Sequence, residues 1–438
     1  MQIPIKKIAW STLVQLFGKG LQIFLGILAV KMITNALGAE NYGIYGKISE
    51  FSIILSTVAN FGIFGNTVRK MATSPHDGTL VGNALVLRLW TAGGLFVLGL
   101  LYAIFTVKDP IFLWGTIIFM SSLMLDFVTT VAGGALQANY LMGRAEIGLI
   151  AGRFVNLAVI FALIKFLGSE NLIANNLAVQ LCFLGPLAGS VLAAGISLWF
   201  VRKHVGINFK LNWKTQKELL FSSIPFGIIN VINILYFRAL PSLMAAKILS
   251  DAEFASYEIC LRIALTGSLL STFLMFSSLP VLKISLQKKD FEETKKLLLG
   301  LEKIMVFSAI LLVVLGSLLA PFAIQVVSNK TFLIQGFEWM LPLMLILAAV
   351  SYFYDMALVT AFAMNKEVWW LKMEFIALFL SLAALAPIYF GFIPPDTQLK
   401  GLIILFSAIL GEGFMALSGI FKIGISLKNN FKRIIVGT

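Results

Sequence analysis

Trp10 to Thr34 reads WSTLVQLFGKGLQIFLGILAVKMIT. The stretch holds no acid and only two cations, Lys19 and Lys31. It is longer than a signal-peptide core, and it has the length that a helix needs to cross a bilayer, about 20 residues. Ser11, Gln15, Lys19 and Gln22 recur at intervals of three or four, with Gly18 and Gly26 beside them. That spacing gathers the polar groups onto one face of a helix. A lysine at mid-bilayer is costly, so such a face turns toward a cavity or a partner. The first 34 residues therefore predict a spanning helix with a lysine-bearing inner face.

The same reading carries to the end of the chain. Hydrophobic residues make up 59% of the 438 and charged residues 13%. The expected spans are Trp10–Thr34, Gly43–Gly65, Thr79–Val107, Ile111–Ala138, Ile147–Gly168 and Asn176–Val201 in the first half. In the second they are Leu219–Pro241, Phe254–Pro280, Ile304–Val327, Phe337–Met364, Val368–Gly391 and Lys400–Ser426. Turn residues such as Asp109-Pro110 and Pro394-Pro395-Asp396 punctuate the gaps. About 12 spans with short connections leave no room for a sizeable soluble domain. The fold class is an all-α polytopic membrane protein, because a lipid-exposed backbone must be bonded internally.

The net charge of +13 is spread unevenly. Lys6, Lys7, Arg69, Lys70, Arg144, Arg202, Lys203, Lys210, Lys214, Lys217, Lys283, Lys288, Lys289, Lys295, Lys296, Lys303, Lys366, Lys428, Lys432 and Arg433 fall on one side. Only Lys108, Lys247, Lys330 and Lys400 fall on the other. Both termini are expected to be cytoplasmic. The basic loops then lie beside anionic lipid headgroups, and no nucleic-acid partner is expected. Lys283 to Lys303 mixes charges with Leu286, Phe291 and Leu298, and reads as an amphipathic helix on the inner leaflet or as a solvated linker. Cys182 and Cys260 lie in apolar segments, where small buried hydrophobes rather than a disulfide are expected.

The chain also repeats. Shifted by 212 residues, Leu37-Gly38-Ala39-Glu40-Asn41-Tyr42-Gly43-Ile44-Tyr45 lies over Leu249-Ser250-Asp251-Ala252-Glu253-Phe254-Ala255-Ser256-Tyr257. Each half then holds six spans of like orientation, related by an axis along the membrane normal. The expected organisation is an N-terminal lobe over 1–205, a cytoplasmic linker over 206–218 and a C-terminal lobe over 219–438. In such parallel repeats, transport sites lie between the halves near the midplane, and the lobes rock to give alternating access.

Leu37-Gly38, Tyr42-Gly43-Ile44-Tyr45, Phe61-Gly62 and Arg69 together resemble the opening of the Wzx-type polysaccharide flippases, of the multidrug/oligosaccharidyl-lipid/polysaccharide exporter superfamily. Span count, orientation, repeat and length agree, so the resemblance extends over essentially the whole chain. One position departs from the pattern. Members often carry a base just before the Leu-Gly turn, where this chain has Asn35, with Lys31 one turn back. The resemblance implies export in a bacterial inner membrane. Undecaprenyl-diphosphate-linked oligosaccharide units would be flipped to the outer leaflet for lipopolysaccharide (O-antigen-like) synthesis, beside a polysaccharide polymerase and chain-length machinery. It implies no cofactor.

The residues themselves point to an anionic cargo. Lys19, Lys31, Arg88, Arg153, Arg238 and Arg262 all fall inside apolar segments. Lysine offers a phosphate a point charge, and arginine offers a bidentate fork. Gln15 and Gln22 on the first span, and Asn230 on the seventh, add neutral donors. Ser223, Gly227 and Asn230 repeat the register of the first-span stripe. Lys31 and Arg153 lie near span ends and can also snorkel. Glu258 and Arg262 are four apart, Glu first, the favourable order for an intrahelical pair. Lys47 and Glu50 are three apart. The intramembrane carboxylates Glu50, Asp126, Glu258, Asp355 and Glu412 are candidates for gating or for coupling to a proton or sodium gradient. They serve equally to neutralise the cations.

Two other classes compete. A multidrug antiporter of the same superfamily would take organic cations, and usually keeps an acid in its first span, which is absent here. A membrane-embedded polysaccharide enzyme would need a reactive centre. Both histidines, His76 and His204, fall in cytoplasmic loops, and no metal-ligand cluster, phosphate loop or nucleophile motif appears. The chain reads as a transporter rather than an enzyme.

Overall fold

The computed structural model describes residues 5–74, 76–168, 177–288, 291–334, 337–394 and 396–435. Lys289, Asp290, Pro395 and Asn176 lie outside the described residues. So do the side chains of Ser11, Lys428, Lys432 and Arg433, and the stripe on the first span can be followed only from Gln15 onward.

Every long element is a helix. In chain order they are α1 (Ile5–Asn60), α2 (Ile63–Thr73), α3 (Gly78–Tyr102), α4 (Pro110–Ala138), α5 (Met142–Leu167), α6 (Leu177–Cys182), α7 (Leu184–His204) and α8 (Trp213–Ile234). There follow α9 (Leu240–Ile248), α10 (Asp251–Gln287), α11 (Phe291–Leu318), α12 (Ala320–Val327), α13 (Met340–Ala363), α14 (Glu367–Tyr389) and α15 (Thr397–Ile435). Among the described residues, 11 helical segments are long and apolar enough to cross a membrane. The first of them runs Phe17–Asn60 and breaks at Gly38 (φ 68°, ψ 178°). A left-handed φ favours glycine, so the expected Leu-Gly turn is a sharp corner within one helical run. Each arm of that broken helix has the length a span needs.

The chain divides into two compact units. One comprises Met1–Val231 with Val327–Asn329; the other comprises Ile232–Val326 with Lys330–Thr438. In the first unit α5 packs on α7 and α1, and α4 packs on α7 and α3. Small residues allow the α5–α7 approach. A Cβ on Gly152 would come within 2.6 Å of the Gly189 carbonyl. A core of Ile63, Met71, Leu80, Leu85, Val131, Leu136, Val201 and Leu219 joins α2, α3, α4, α7 and the start of α8. The expected linker between the lobes lies on α3. Asn83 donates to the Lys210 carbonyl (3.0 Å) and accepts from the Asn212 backbone (2.8 Å).

In the second unit α13 is the hub, with 78% of its most apolar stretch buried. It packs on α10, α11 and α15, and α14 packs on α15. Among the described residues from Lys283 to Lys303 there is no separate surface helix. The first residues of that segment extend α10 and its last extend α11, and the buried Thr294 and Ser285 hydroxyls bond across them at 2.9 Å. The reason is length: both spanning helices continue past their apolar stretches.

Two aromatic pairs fall at positions matched by the 212-residue shift. Tyr42 and Tyr45 stack with centroids 5.6 Å apart at 29°; Phe254 and Tyr257 stack at 5.6 Å and 25°. Gly38 bends the chain at the position matched by Ser250, which caps α10 in a capping box with Glu253.

Candidate functional site: charges within the helical bundle

Lys19 and Gln22 share one face of α1, and Glu146 meets them from the first turns of α5. Gln22 Nε2 donates to Glu146 Oε2. Lys19 follows Gly18 in α1, and its positive charge acts on that carboxylate. Gly18 makes the approach possible, since a Cβ there would sit 2.8 Å from Glu146 Oε2. Glu146 is 5% exposed, whereas Lys19, Gln22 and Gln15 are half-buried. Sequence reading missed Glu146. The expected fifth span begins at Ile147, one residue after it, whereas α5 begins at Met142 and includes it.

A second matched charge lies further along the same unit. Asp126 on α4 accepts from the Ser190 hydroxyl of α7 at 2.7 Å, and the positive charge of Arg153 on α5 acts on it. Glu146 and Arg153 are seven residues apart, two helical turns on one face. Arg153 is exposed at the surface of the unit. Lys31 donates to the Ser328 carbonyl, and Asn35 accepts from Asn329 at 3.0 Å. Glu50 is buried on α1.

Arg88 has a different environment from the one its sequence position suggests. It is 1% exposed. Its Nη1 donates to the Asn60 carbonyl at 3.3 Å, and its guanidinium lies 4.6 Å from the Phe127 ring centroid. Asn60 is the last residue of α1, and Phe61 and Gly62 follow with φ 36° and 65°. The arginine thus caps a helix C-terminus, where a cation is favoured. The Ser223-Gly227-Asn230 stripe divides as well. Ser223 bonds the Leu219 carbonyl at 2.7 Å, and a Cβ on Gly227 would meet the Phe61 carbonyl at 2.7 Å. Those two positions are a packing seat for the Phe61-Gly62 turn, and only Asn230 is exposed.

Among its described residues the second unit carries four buried carboxylates, Glu258, Asp355, Glu374 and Glu412. Asp355 of α13 accepts from the Ser271 and Thr272 hydroxyls of α10 at 2.6 and 2.9 Å. Glu412 of α15 accepts from Asn233 at 3.3 Å. Glu374 of α14 accepts from the Tyr354 hydroxyl at 2.8 Å and from the Trp370 indole N–H at 2.9 Å. Glu374 is fully buried, and its Oε2 has no hydrogen-bond partner. The same Asn233 amide also donates to the Tyr236 hydroxyl at 2.9 Å. Glu374 was not anticipated, although it is the only acid inside the eleventh expected span and stands one turn beyond Trp370. The expected Glu258–Arg262 pair forms within α10, with Glu258 buried and Arg262 half-exposed. Arg238 is half-buried in a π-helical turn, Leu235–Ala239, between α8 and α9. No group of three or more His, Cys, Asp or Glu suited to a metal occurs among the described residues.

This fold is that of the MATE transporters of the MOP superfamily. An inward-facing multidrug-resistance MATE transporter of that superfamily superposes with a TM-score of 0.70 at 15% identity, covering 94% of this chain and 96% of its own. A Pyrococcus furiosus MOP transporter, described as having a binding pocket of reversed polarity, gives 0.65 at 16%, covering 97% and 96%. A Vibrio cholerae MATE transporter gives 0.63 at 14%, covering 97% of each. No curated protein matches the chain in sequence. Residues 5–285 match the sequence profile of the polysaccharide biosynthesis protein family, and the chain belongs to that family.

Proposed function

We propose that the protein is a flippase for lipid-diphosphate-linked oligosaccharides, working by alternating access in a bacterial inner membrane with both termini cytoplasmic. The family match over residues 5–285 carries this reading. The half-buried Lys19 and Gln22 support it, since they offer an ammonium and an amide donor on one face of α1. Arg153 adds an exposed cation on α5. Arg88 serves as the cap on α1 rather than as a ligand to the cargo. Lys31, Arg238, Arg262, Gln15 and Asn230 are secondary candidates for cargo contacts.

In the same proposal the carboxylates of the second unit bind a coupling cation, a proton or sodium. Asp355, Glu412 and Glu374 are its candidate residues, because buried acids in apolar helices are retained for such work. The multidrug-antiporter reading draws on those same acids. It draws nothing from α1, which holds two lysines and no acid between Trp10 and Thr34.

The test is complementation. The chain is expressed in a cell lacking its surface-polysaccharide flippase, and polymer at the surface is scored. Restored polymer that is lost in Lys19→Ala at equal expression supports the reading. Failure across several glycan backgrounds, together with resistance to cationic dyes, replaces it with the antiporter.

A further inference from the structure

We infer that Glu146 is an internal stand-in for phosphate: it neutralises Lys19 in the empty carrier, and the diphosphate of the cargo displaces it. This inference rests on the flippase reading and assigns a positioning residue to it. The geometry is specific. Glu146 is brought to the one place on α1 where residue 18 has no side chain, 2.8 Å from where a Cβ would stand. There it takes the Gln22 amide, beside Gly18 and one residue from Lys19, whose positive charge acts on it. Those are the donors that a phosphate oxygen would take.

The physics gives the arrangement a purpose. An uncompensated lysine inside a bilayer protein is costly, and an empty carrier has no cargo to offset it. A carboxylate on a neighbouring helix removes that cost. A diphosphate carries more negative charge than a carboxylate and more acceptor oxygens, so it competes for the same donors. When it leaves, Glu146 returns, and Lys19 is compensated in both states. The carboxylate therefore weakens cargo binding and speeds cargo release. A purely structural ion pair would do neither.

The experiment uses the full chain, purified in detergent and reconstituted, with undecaprenyl diphosphate as the probe and neutral undecaprenol as its control. Binding is read by microscale thermophoresis, and transbilayer movement by access of an impermeant phosphatase. Glu146→Gln keeps the size of the side chain and its contact with Gln22. It is expected to bind the diphosphate roughly five- to tenfold more tightly, the scale of one partly screened charge contact, and to turn over more slowly. Lys19→Ala is expected to bind about tenfold more weakly, and the double variant to match Lys19→Ala. Gly18→Ala pushes the carboxylate aside and is expected to act as a milder Glu146→Gln. That variant decides the matter if Glu146→Gln does not fold. Equal or weaker binding by Glu146→Gln overturns the inference. So does a Lys19→Ala that binds as the wild type does, and both results leave the flippase reading in place. Wild-type protein that does not distinguish undecaprenyl diphosphate from undecaprenol overturns that reading and the inference with it.

Discussion

Replacing Glu374 separates the packing role of a buried acid from its charge. Glu374 Oε1 is the acceptor for the Tyr354 hydroxyl and the Trp370 indole N–H. Glu374→Ala leaves both donors buried without that acceptor, at about 1–3 kcal/mol each. It also removes two buried methylenes, at about 0.8 kcal/mol each. The sum is about 4–8 kcal/mol, comparable with the whole stability of many domains. Glu374→Gln keeps an oxygen toward both donors and the same volume. Only the charge assistance of the two bonds is lost, at about 1 kcal/mol. The assay is thermal unfolding in detergent followed by fluorescence size-exclusion. The Gln variant is expected to melt close to wild type and the Ala variant far below it. Transport should fail in both, because neither retains a carboxylate for the coupling cation. Equal melting of the two variants would refute the hydrogen-bond argument, and full transport by the Gln variant would refute the coupling role.

Three further outcomes follow from the geometry. Gly62→Val puts a β-branched residue at φ 65°, with its Cβ 2.9 Å from the Gly227 nitrogen, so expression of folded protein should collapse. Gly65→Ala, where nothing lies within 4 Å, should express normally in the same blot. Arg88→Ala removes the cap from α1 and its contact with Phe127. It should lower the melting temperature while leaving the affinity of surviving protein for undecaprenyl diphosphate unchanged, as read by thermophoresis. Asp77→Ala removes the acceptor for the Thr79 and Leu80 backbone N–H groups (2.9 and 3.1 Å) and should cost about 1 kcal/mol in chemical unfolding, with transport retained.

Much of this architecture is legible in the sequence because lipid enforces it locally. A long run of apolar residues crossing lipid must be a helix, and the turn expected at Leu37-Gly38 is where it breaks. The aromatic pairs Tyr42/Tyr45 and Phe254/Tyr257 fall at positions that match in the sequence, and they stack alike. The Glu258–Arg262 pair is legible because its partners stand one turn apart. What is not legible depends on partners far away in the chain. Glu146 meets Gln22 across 124 residues, and Arg88 finds the Asn60 carbonyl across 28. Polarity along one helix locates a cation without saying what faces it. Lys19 and Arg88 therefore look equivalent in sequence, yet one, half-buried, acts on a carboxylate through its charge and the other caps a helix in a sealed core. Glu374 illustrates the same limit. The Trp370 contact lies within its own helix, but the Tyr354 hydroxyl comes from another element.

The most direct test of the central claim is transport by the pure protein. The full chain is reconstituted in liposomes with a fluorescent oligosaccharide on undecaprenyl diphosphate, and the fraction of label reachable from outside is followed in time. The account expects wild-type protein to speed the exchange, Lys19→Ala to abolish it and Lys19→Arg to restore much of it. Liposomes in which the labelled lipid moves no faster than without protein, while a cationic dye is expelled, would contradict the account.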